Sequence, residues 1–177
     1  MTREINRMAV VGAGVMGTGI AQIAAQAGIR VTLFDSREGA AQGARESLKG
    51  TLDKLVDKGK IANADALATL SRVQVASALT ELSDVDLVVE AIIERLDAKQ
   101  GLLAELEAVV ADDCILATNT SSLSVTSIAR NCRLPQRIAG FHFFNPVPLM
   151  KVVEVIDGLA TDPQVGDSLR ALAARMG

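Results

Sequence analysis

The sequence predicts an α/β fold of the Rossmann type, a doubly wound and mostly parallel sheet with helices on both faces. Three observations predict it. Short apolar runs alternate with stretches of helical periodicity along the whole chain. The first run, Met8 to Val11, leads directly into Gly12-Ala13-Gly14-Val15-Met16-Gly17, a G-x-G-x-x-G segment. An acidic residue, Asp35, closes the second run, about 20 residues past those glycines.

The elements follow in order. Met8 to Val11 reads as a buried strand, and Val15 to Ala27 as a helix stopped by Gly28. Arg30 to Phe34 is the second strand. Gly39 to Lys58 has apolar Ala40, Ala44, Leu48, Leu52 and Leu55 at three- and four-residue steps, which predicts a long amphipathic helix. Asp65 to Leu70 is a further helix and Val73 to Ala76 a short strand. Asp86 to Ile92 is a continuous apolar strand, followed by a helix over Asp97 to Val110. Ile115 to Thr118 is a strand that runs into Asn119-Thr120-Ser121-Ser122, and Ser124 to Arg130 is a short helix. Arg137 to Phe141 and Lys151 to Ile156 are the last strands, and Asp162 to Arg175 the last helix. No repeat, low-complexity tract or long linker divides the chain, so residues 1–177 read as one domain.

Composition narrows the function classes. The 177 residues are 49% hydrophobic and 22% charged, a globular balance able to bury a real core. A net charge of -3 leaves no basic footprint for nucleic acid. No apolar run reaches the ~20 residues that a membrane helix needs. Cys114 and Cys132 stand apart, without zinc spacing, so no metal is expected and a reducing, cytoplasmic setting suits them. Aromatic residues are only 2%, and three of the four Phe flank the sole histidine in Phe141-His142-Phe143-Phe144.

Each glycine of the fingerprint has its own physical task. Gly12 permits the tight turn from strand to helix, Gly14 leaves room for a pyrophosphate, and Gly17 lets the helix pack closely on the strand. The helix start, with Val15 and Met16, then presents free N–H groups to the phosphates. Asp35 is placed to accept hydrogen bonds from the adenosine ribose and to repel a 2′-phosphate. NAD is therefore favoured over NADP, with Arg37 able to soften that preference.

Ligands of open α/β sheets sit at the carboxyl ends of the strands. His142 follows the strand Arg137 to Phe141, and an imidazole there suits a general acid/base; equally, it can be a packing residue among Phe. Glu154 interrupts a run of Val and Ile; a carboxylate buried there requires a partner, and His142 is the candidate. The alternative is a solvent-facing Glu on an edge strand. Ser121 is placed to donate to a substrate oxygen, while Ser122 or Ser124 can simply cap the next helix. Glu94 and Lys99 also follow a strand end, where spacing alone makes an ordinary charged helix start the default reading. Lys58 and Lys60 sit in a polar turn.

Four blocks then carry a resemblance. Val10-Val11-Gly12-Ala13-Gly14-Val15-Met16-Gly17, Val88-Val89-Glu90-Ala91, Asn119-Thr120-Ser121-Ser122-Leu123 and His142-Phe143-Phe144-Asn145-Pro146-Val147-Pro148 together resemble the 3-hydroxyacyl-CoA dehydrogenase family over nearly the whole chain. The resemblance implies reversible oxidation of an L-3-hydroxyacyl-CoA to the 3-ketoacyl-CoA with NAD. It implies His142 as catalytic base, Glu154 as its carboxylate partner, and Ser121 in contact with both substrate and nicotinamide. Glu94, Lys99 and Asn119 fall near the cofactor, and Asn145, Thr51 and Lys58 on the acyl-CoA side. The chain looks like the single-function members more than the multifunctional ones. In the family a helical C-terminal domain follows, supplying dimer contacts, a wall of the cleft and a catalytic asparagine. The expectation is a chain lacking that domain, homo-oligomeric at full length, with an uncovered apolar surface. Two other readings stand beside it: a non-catalytic NAD-binding module of the same family, and a dehydrogenase of free hydroxy acids or sugar phosphates.

Overall fold

The computed structural model describes residues 3–177. Seven strands form one sheet: β1 (Arg7–Val11), β2 (Arg30–Phe34), β3 (Val73–Val75), β4 (Leu87–Glu90), β5 (Ile115–Thr118), β6 (Ile138–Phe143) and β7 (Val153–Asp157). Their spatial order is β3-β2-β1-β4-β5-β6-β7. All neighbours pair in parallel except β6 and β7, which are antiparallel. The order reverses between β1 and β4, which is the switch point where a dinucleotide crosses such a sheet.

Five α-helices lie between strands, α1 (Val15–Gln26), α2 (Ala40–Asp57), α3 (Asn63–Ser71), α4 (Leu96–Glu107) and α5 (Val125–Ala129), and α6 (Pro163–Met176) follows β7. Strand alternation divides the core in two. Met8, Val10, Leu33 and Val89 pack with α1, α2, α3 and α6 on one face. Ala9, Val11, Val88 and Leu116 pack with α4 and α5 on the other. Helices thus cover both faces, and the central strands β1, β4 and β5 are apolar up to Glu90 and Thr118 at their carboxyl ends and beyond Arg7 at the start of β1, because neither face meets water. Each fully buried Leu, Ile, Val or Phe contributes about 1.5–3 kcal/mol to that packing.

Several boundaries differ from the sequence expectation, among them α4, which ends at Glu107 and not Val110, and α3, which spans Asn63–Ser71; three differences bear on the site, each for a physical reason. β6 continues through Phe143, so His142 lies within the strand rather than after it. Alternation then sends Phe141 and Phe143 into the core, edge to face with centroids 4.6 Å apart, and His142 to the opposite face. β7 begins at Val153 and not at Lys151, since its partner β6 ends at Phe143. β4 ends at Glu90, where the carboxylate turns back to accept from the Ile92 N–H. Two short 3₁₀ turns, Leu79–Leu82 and Pro135–Arg137, were not foreseen.

Candidate active site

The fingerprint glycines are explained by what a Cβ would meet. Gly12 has φ +105°, and a Cβ there would stand 2.5 Å from the Ala91 carbonyl oxygen. At Gly17 it would lie 1.7 Å from the Gly12 oxygen, so α1 reaches the β1 turn only because no side chain intervenes. At Gly14 nothing lies within 4 Å. The protein itself makes no demand for glycine there, and the empty space faces a cleft of about 840 Å³. Val15, Met16, Asp35, Ile92 and Asp97 line the same cleft, and α1 opens onto it with no side-chain cap. A bare helix N-terminus beside open space at Gly14 fits a pyrophosphate.

Asp35 lines that cleft beside the fingerprint turn. Its carboxylate accepts from the Ala13 N–H at 2.8 Å, the Arg37 N–H at 2.9 Å, and Arg37 Nε and Nη2 at 3.0 and 3.1 Å. The Arg37 guanidinium holds the carboxyl down at about 2, well below the usual carboxylate range. Arg37 therefore does not stand free beside Asp35 but is bound to it.

The ends of β4 and β5 carry a network that the sequence reading did not find. Glu90 is fully buried. Its Oε1 accepts from the Ile92 N–H at 2.7 Å and from Lys99 Nζ at 2.6 Å, and its Oε2 from Thr118 Oγ1 at 2.7 Å. Lys99, in the first turn of α4, is equally buried and reaches Glu94 Oε2 at 3.3 Å. Glu94 in turn accepts from Thr120 Oγ1 at 2.5 Å and from the N–H groups of Ser121 and Ser122 at 2.9 and 3.2 Å. Burial works against its charge, but those donors and Lys99 outweigh it and hold the carboxyl at about 2. Neither Lys99 nor Glu94 is an ordinary helix-start charge: the pair joins β4 to the loop after β5. The signal in the sequence was a Glu closing a central apolar strand, a placement that demands a buried cation.

Asn119 Oδ1 accepts from the Phe143 N–H at 2.8 Å, tying the loop after β5 to β6 beside His142. Ser124 caps α5 through the Ser127 N–H, whereas Ser122 does not cap but turns to Glu94. His142 and Glu154 face each other in register across β6 and β7, with Nδ1 2.8 Å from Glu154 Oε2. Glu154 is not buried: its side chain is 55% exposed, on an edge strand, while His142 is 14% exposed. Both alternatives at Glu154 thus hold together, a paired carboxylate that also meets solvent. His142, Glu154, Ser121 and Ser122 line one cavity of about 290 Å³.

Other expected site residues stand apart. Thr51, in the second half of α2, and Lys58, just past its end, are exposed and line neither cavity. Asn145 is exposed just beyond β6. Burial pushes the Cys114 thiol up to about 12 and Cys132 up to about 11, so neither is a thiolate nucleophile. No helix among the described residues is long and apolar enough to cross a membrane, and no cluster of three or more metal-ligating side chains occurs among them.

Comparison with known proteins decides the family. The family model for the NAD binding domain of 3-hydroxyacyl-CoA dehydrogenase matches residues 7–177. The chain belongs to the 3-hydroxyacyl-CoA dehydrogenase family, as its NAD-binding domain. A probable 3-hydroxybutyryl-CoA dehydrogenase of Bacillus subtilis is 42% identical over 98% of the chain, and a 3-hydroxyadipyl-CoA dehydrogenase of Escherichia coli 41% over 100%. The chain spans only 61% and 37% of those two relatives. Among solved structures, a 3-hydroxybutyryl-CoA dehydrogenase of E. coli superposes with a TM-score of 0.96 at 40% identity, covering 99% of this chain and 37% of that one. The (S)-3-hydroxybutyryl-CoA dehydrogenase of Ralstonia eutropha gives 0.95 at 37%, covering 98% and 62%. NAD is accordingly the cofactor of this domain.

Proposed function

We propose that this domain serves the reversible, NAD-dependent oxidation of an L-3-hydroxyacyl-CoA to the 3-ketoacyl-CoA, with His142 as general acid/base. The observation that carries the proposal is the His142–Glu154 hydrogen bond, 2.8 Å long, in a cavity shared with Ser121. A carboxylate only accepts, so Nδ1 carries the proton and Nε2 is left as the basic nitrogen. Nε2 takes the proton of the substrate hydroxyl, and Glu154 stabilises the imidazolium that results. Ser121 is held at the loop through its N–H to Glu94, and its Oγ would turn from Glu94 to donate to the substrate oxygen. Bound NAD supplies the hydride acceptor. Gly12, Gly14, Val15, Met16 and Gly17 would seat its pyrophosphate and Asp35 its adenosine ribose. The ends of β4 and β5, with Glu94, Lys99 and Asn119, would face its nicotinamide half, beyond the switch point. Asn145, Thr51 and Lys58 are assigned to the acyl-CoA.

A second reading concerns the chain by itself. The 55% exposure of Glu154 and the open lining of its cavity favour an NAD-binding module that needs a further surface for full turnover. The exposed Leu149, Met150, Val152 and Leu159 near this edge give such a surface, or another copy, an apolar seat.

Acetoacetyl-CoA and free acetoacetate, compared as oxidants of NADH, test the proposal. The chain is assayed alone and joined to the part of the B. subtilis relative that it does not cover. The CoA ester should drive NADH oxidation and the free acid should not. Equal rates with both would replace the CoA ester by free hydroxy acids.

A further inference from the structure

Asp35 has no acceptor to spare. A carboxylate offers about four lone-pair sites, and four donors occupy them: the Ala13 N–H, the Arg37 N–H, and Arg37 Nε and Nη2. Ribose hydroxyls can bind there only if a donor leaves. The two backbone donors are fixed by the β1 and β2 turns. The guanidinium is not: the Arg37 side chain is 71% exposed, against 8% for Asp35, and makes no other side-chain hydrogen bond among the described residues. The arginine end of the pair stands in solvent, so the guanidinium can swing away and be hydrated while Asp35 keeps its two backbone donors.

Arg37 has somewhere to go. A second cavity of about 370 Å³ adjoins the cofactor cleft and shares Phe34, Asp35, Ser36 and Arg37 with it. Gly39, the uncapped start of the 18-residue α2, lies in its wall, and the first turn of α2 holds no acidic residue. Glu38 is the one other ionisable side chain lining it. The guanidinium fork matches a phosphate bidentately.

We propose that Asp35 and Arg37 form a two-position selector at the ribose end of the cleft. With NAD, the guanidinium leaves and Asp35 takes the ribose hydroxyls. With a 2′-phosphorylated pyridine dinucleotide, the guanidinium takes the phosphate in the second cavity. Arg37, and not Asp35 alone, then sets the margin between the two cofactors. In the resting protein Arg37 is an internal competitor for the carboxylate that NAD needs. The inference rests on NAD binding in this cleft.

Fluorescence titration of the chain with NADH and with NADPH tests it, on the parent and on Arg37→Ala, Arg37→Lys and Asp35→Ser. Melting temperatures confirm folding, which the exposure of Arg37 should preserve. Arg37→Ala should lose at least about tenfold in NADPH affinity, the worth of hydrogen bonds to a charged group. It should gain up to about fivefold for NADH, as a competing donor with its own end in solvent is removed. Arg37→Lys, a point charge without the fork, should fall between. Asp35→Ser should favour NADPH. An NADPH-to-NADH ratio in Arg37→Ala that stays within about twofold of the parent overturns the selector while leaving NAD binding intact. So does an equal loss for both cofactors. Failure of the parent to bind NADH overturns the selector and the cofactor assignment of the cleft together.

Discussion

The two charged constellations on this sheet are built in opposite ways. At the ends of β4 and β5, Glu90 and Lys99 are fully buried, and every oxygen of Glu90 has a donor. At the β6–β7 edge, His142 and Glu154 make one hydrogen bond, and more than half of the Glu154 side chain meets solvent. The first is a complete piece of protein interior. The second is a pair presented at a surface. The network at the ends of β4 and β5 is thus closed among the described residues, whereas the His142–Glu154 pair is open to solvent. That difference accords with a chain that spans 61% of its B. subtilis relative. It separates what this segment should do alone, bind dinucleotide, from what it should do better with more protein over it.

Breaking the buried side should cost the most. Lys99→Met leaves Glu90 as an uncompensated buried carboxylate and should destabilise the domain by about 3–5 kcal/mol in urea unfolding. A loss under about 1 kcal/mol would mean that water reaches Glu90, and the contrast between the two sites would collapse.

The glycines sharpen the comparison between folding and binding. Gly17→Ala drives a Cβ to within 1.7 Å of backbone and should lower stability by about 1–3 kcal/mol or more. Gly14→Ala has open space around it and an ordinary φ of -76°, so stability should stay within about 0.5 kcal/mol of the parent. NADH affinity should nonetheless drop at least about tenfold, because the methyl occupies the pyrophosphate approach. Unchanged affinity in a titration would move the pyrophosphate elsewhere.

Acid should undo the β4–β5 side in a defined window. Glu94 titrates at about 2 in the fold against a usual 4.5, so the folded state gains from its ionised form above that usual value. The gain fades as pH falls from about 4.5 towards 2. Glu94→Gln keeps an acceptor but not the charge, and its stability should vary less over that window than the parent's. Equal acid profiles by circular dichroism would remove Glu94 from the loop's support. The smallest effect belongs to the open side: Glu154→Gln should change stability by under about 1 kcal/mol, as exposed pairs do.

What could be read in advance follows the same division. Strand alternation, helical periodicity and the glycine spacing are local patterns, and they yielded the sheet, both helical faces and the cofactor cleft. The His142–Glu154 pairing was legible because one histidine and one carboxylate interrupt two neighbouring apolar strands. The Glu90–Lys99–Glu94 chain was not. Its members come from a strand end, a helix start and the turn between them, and only tertiary packing shows that Lys99 points inward. That Arg37 clasps Asp35 was not legible either, since spacing alone does not reveal a bidentate ion pair. The extent of β6 was readable but missed: Phe-His-Phe is itself a period-two pattern with the histidine facing away from the core.

The most direct test of the account is acetoacetyl-CoA-dependent NADH oxidation by the chain joined to the uncovered part of the B. subtilis relative, with His142 intact and with His142→Ala. The account predicts that the substitution lowers the rate by about 10²–10⁴-fold, the usual worth of a positioned general acid/base, while NADH affinity stays close to the parent's. A His142→Ala protein that turns over at the parent rate would contradict it.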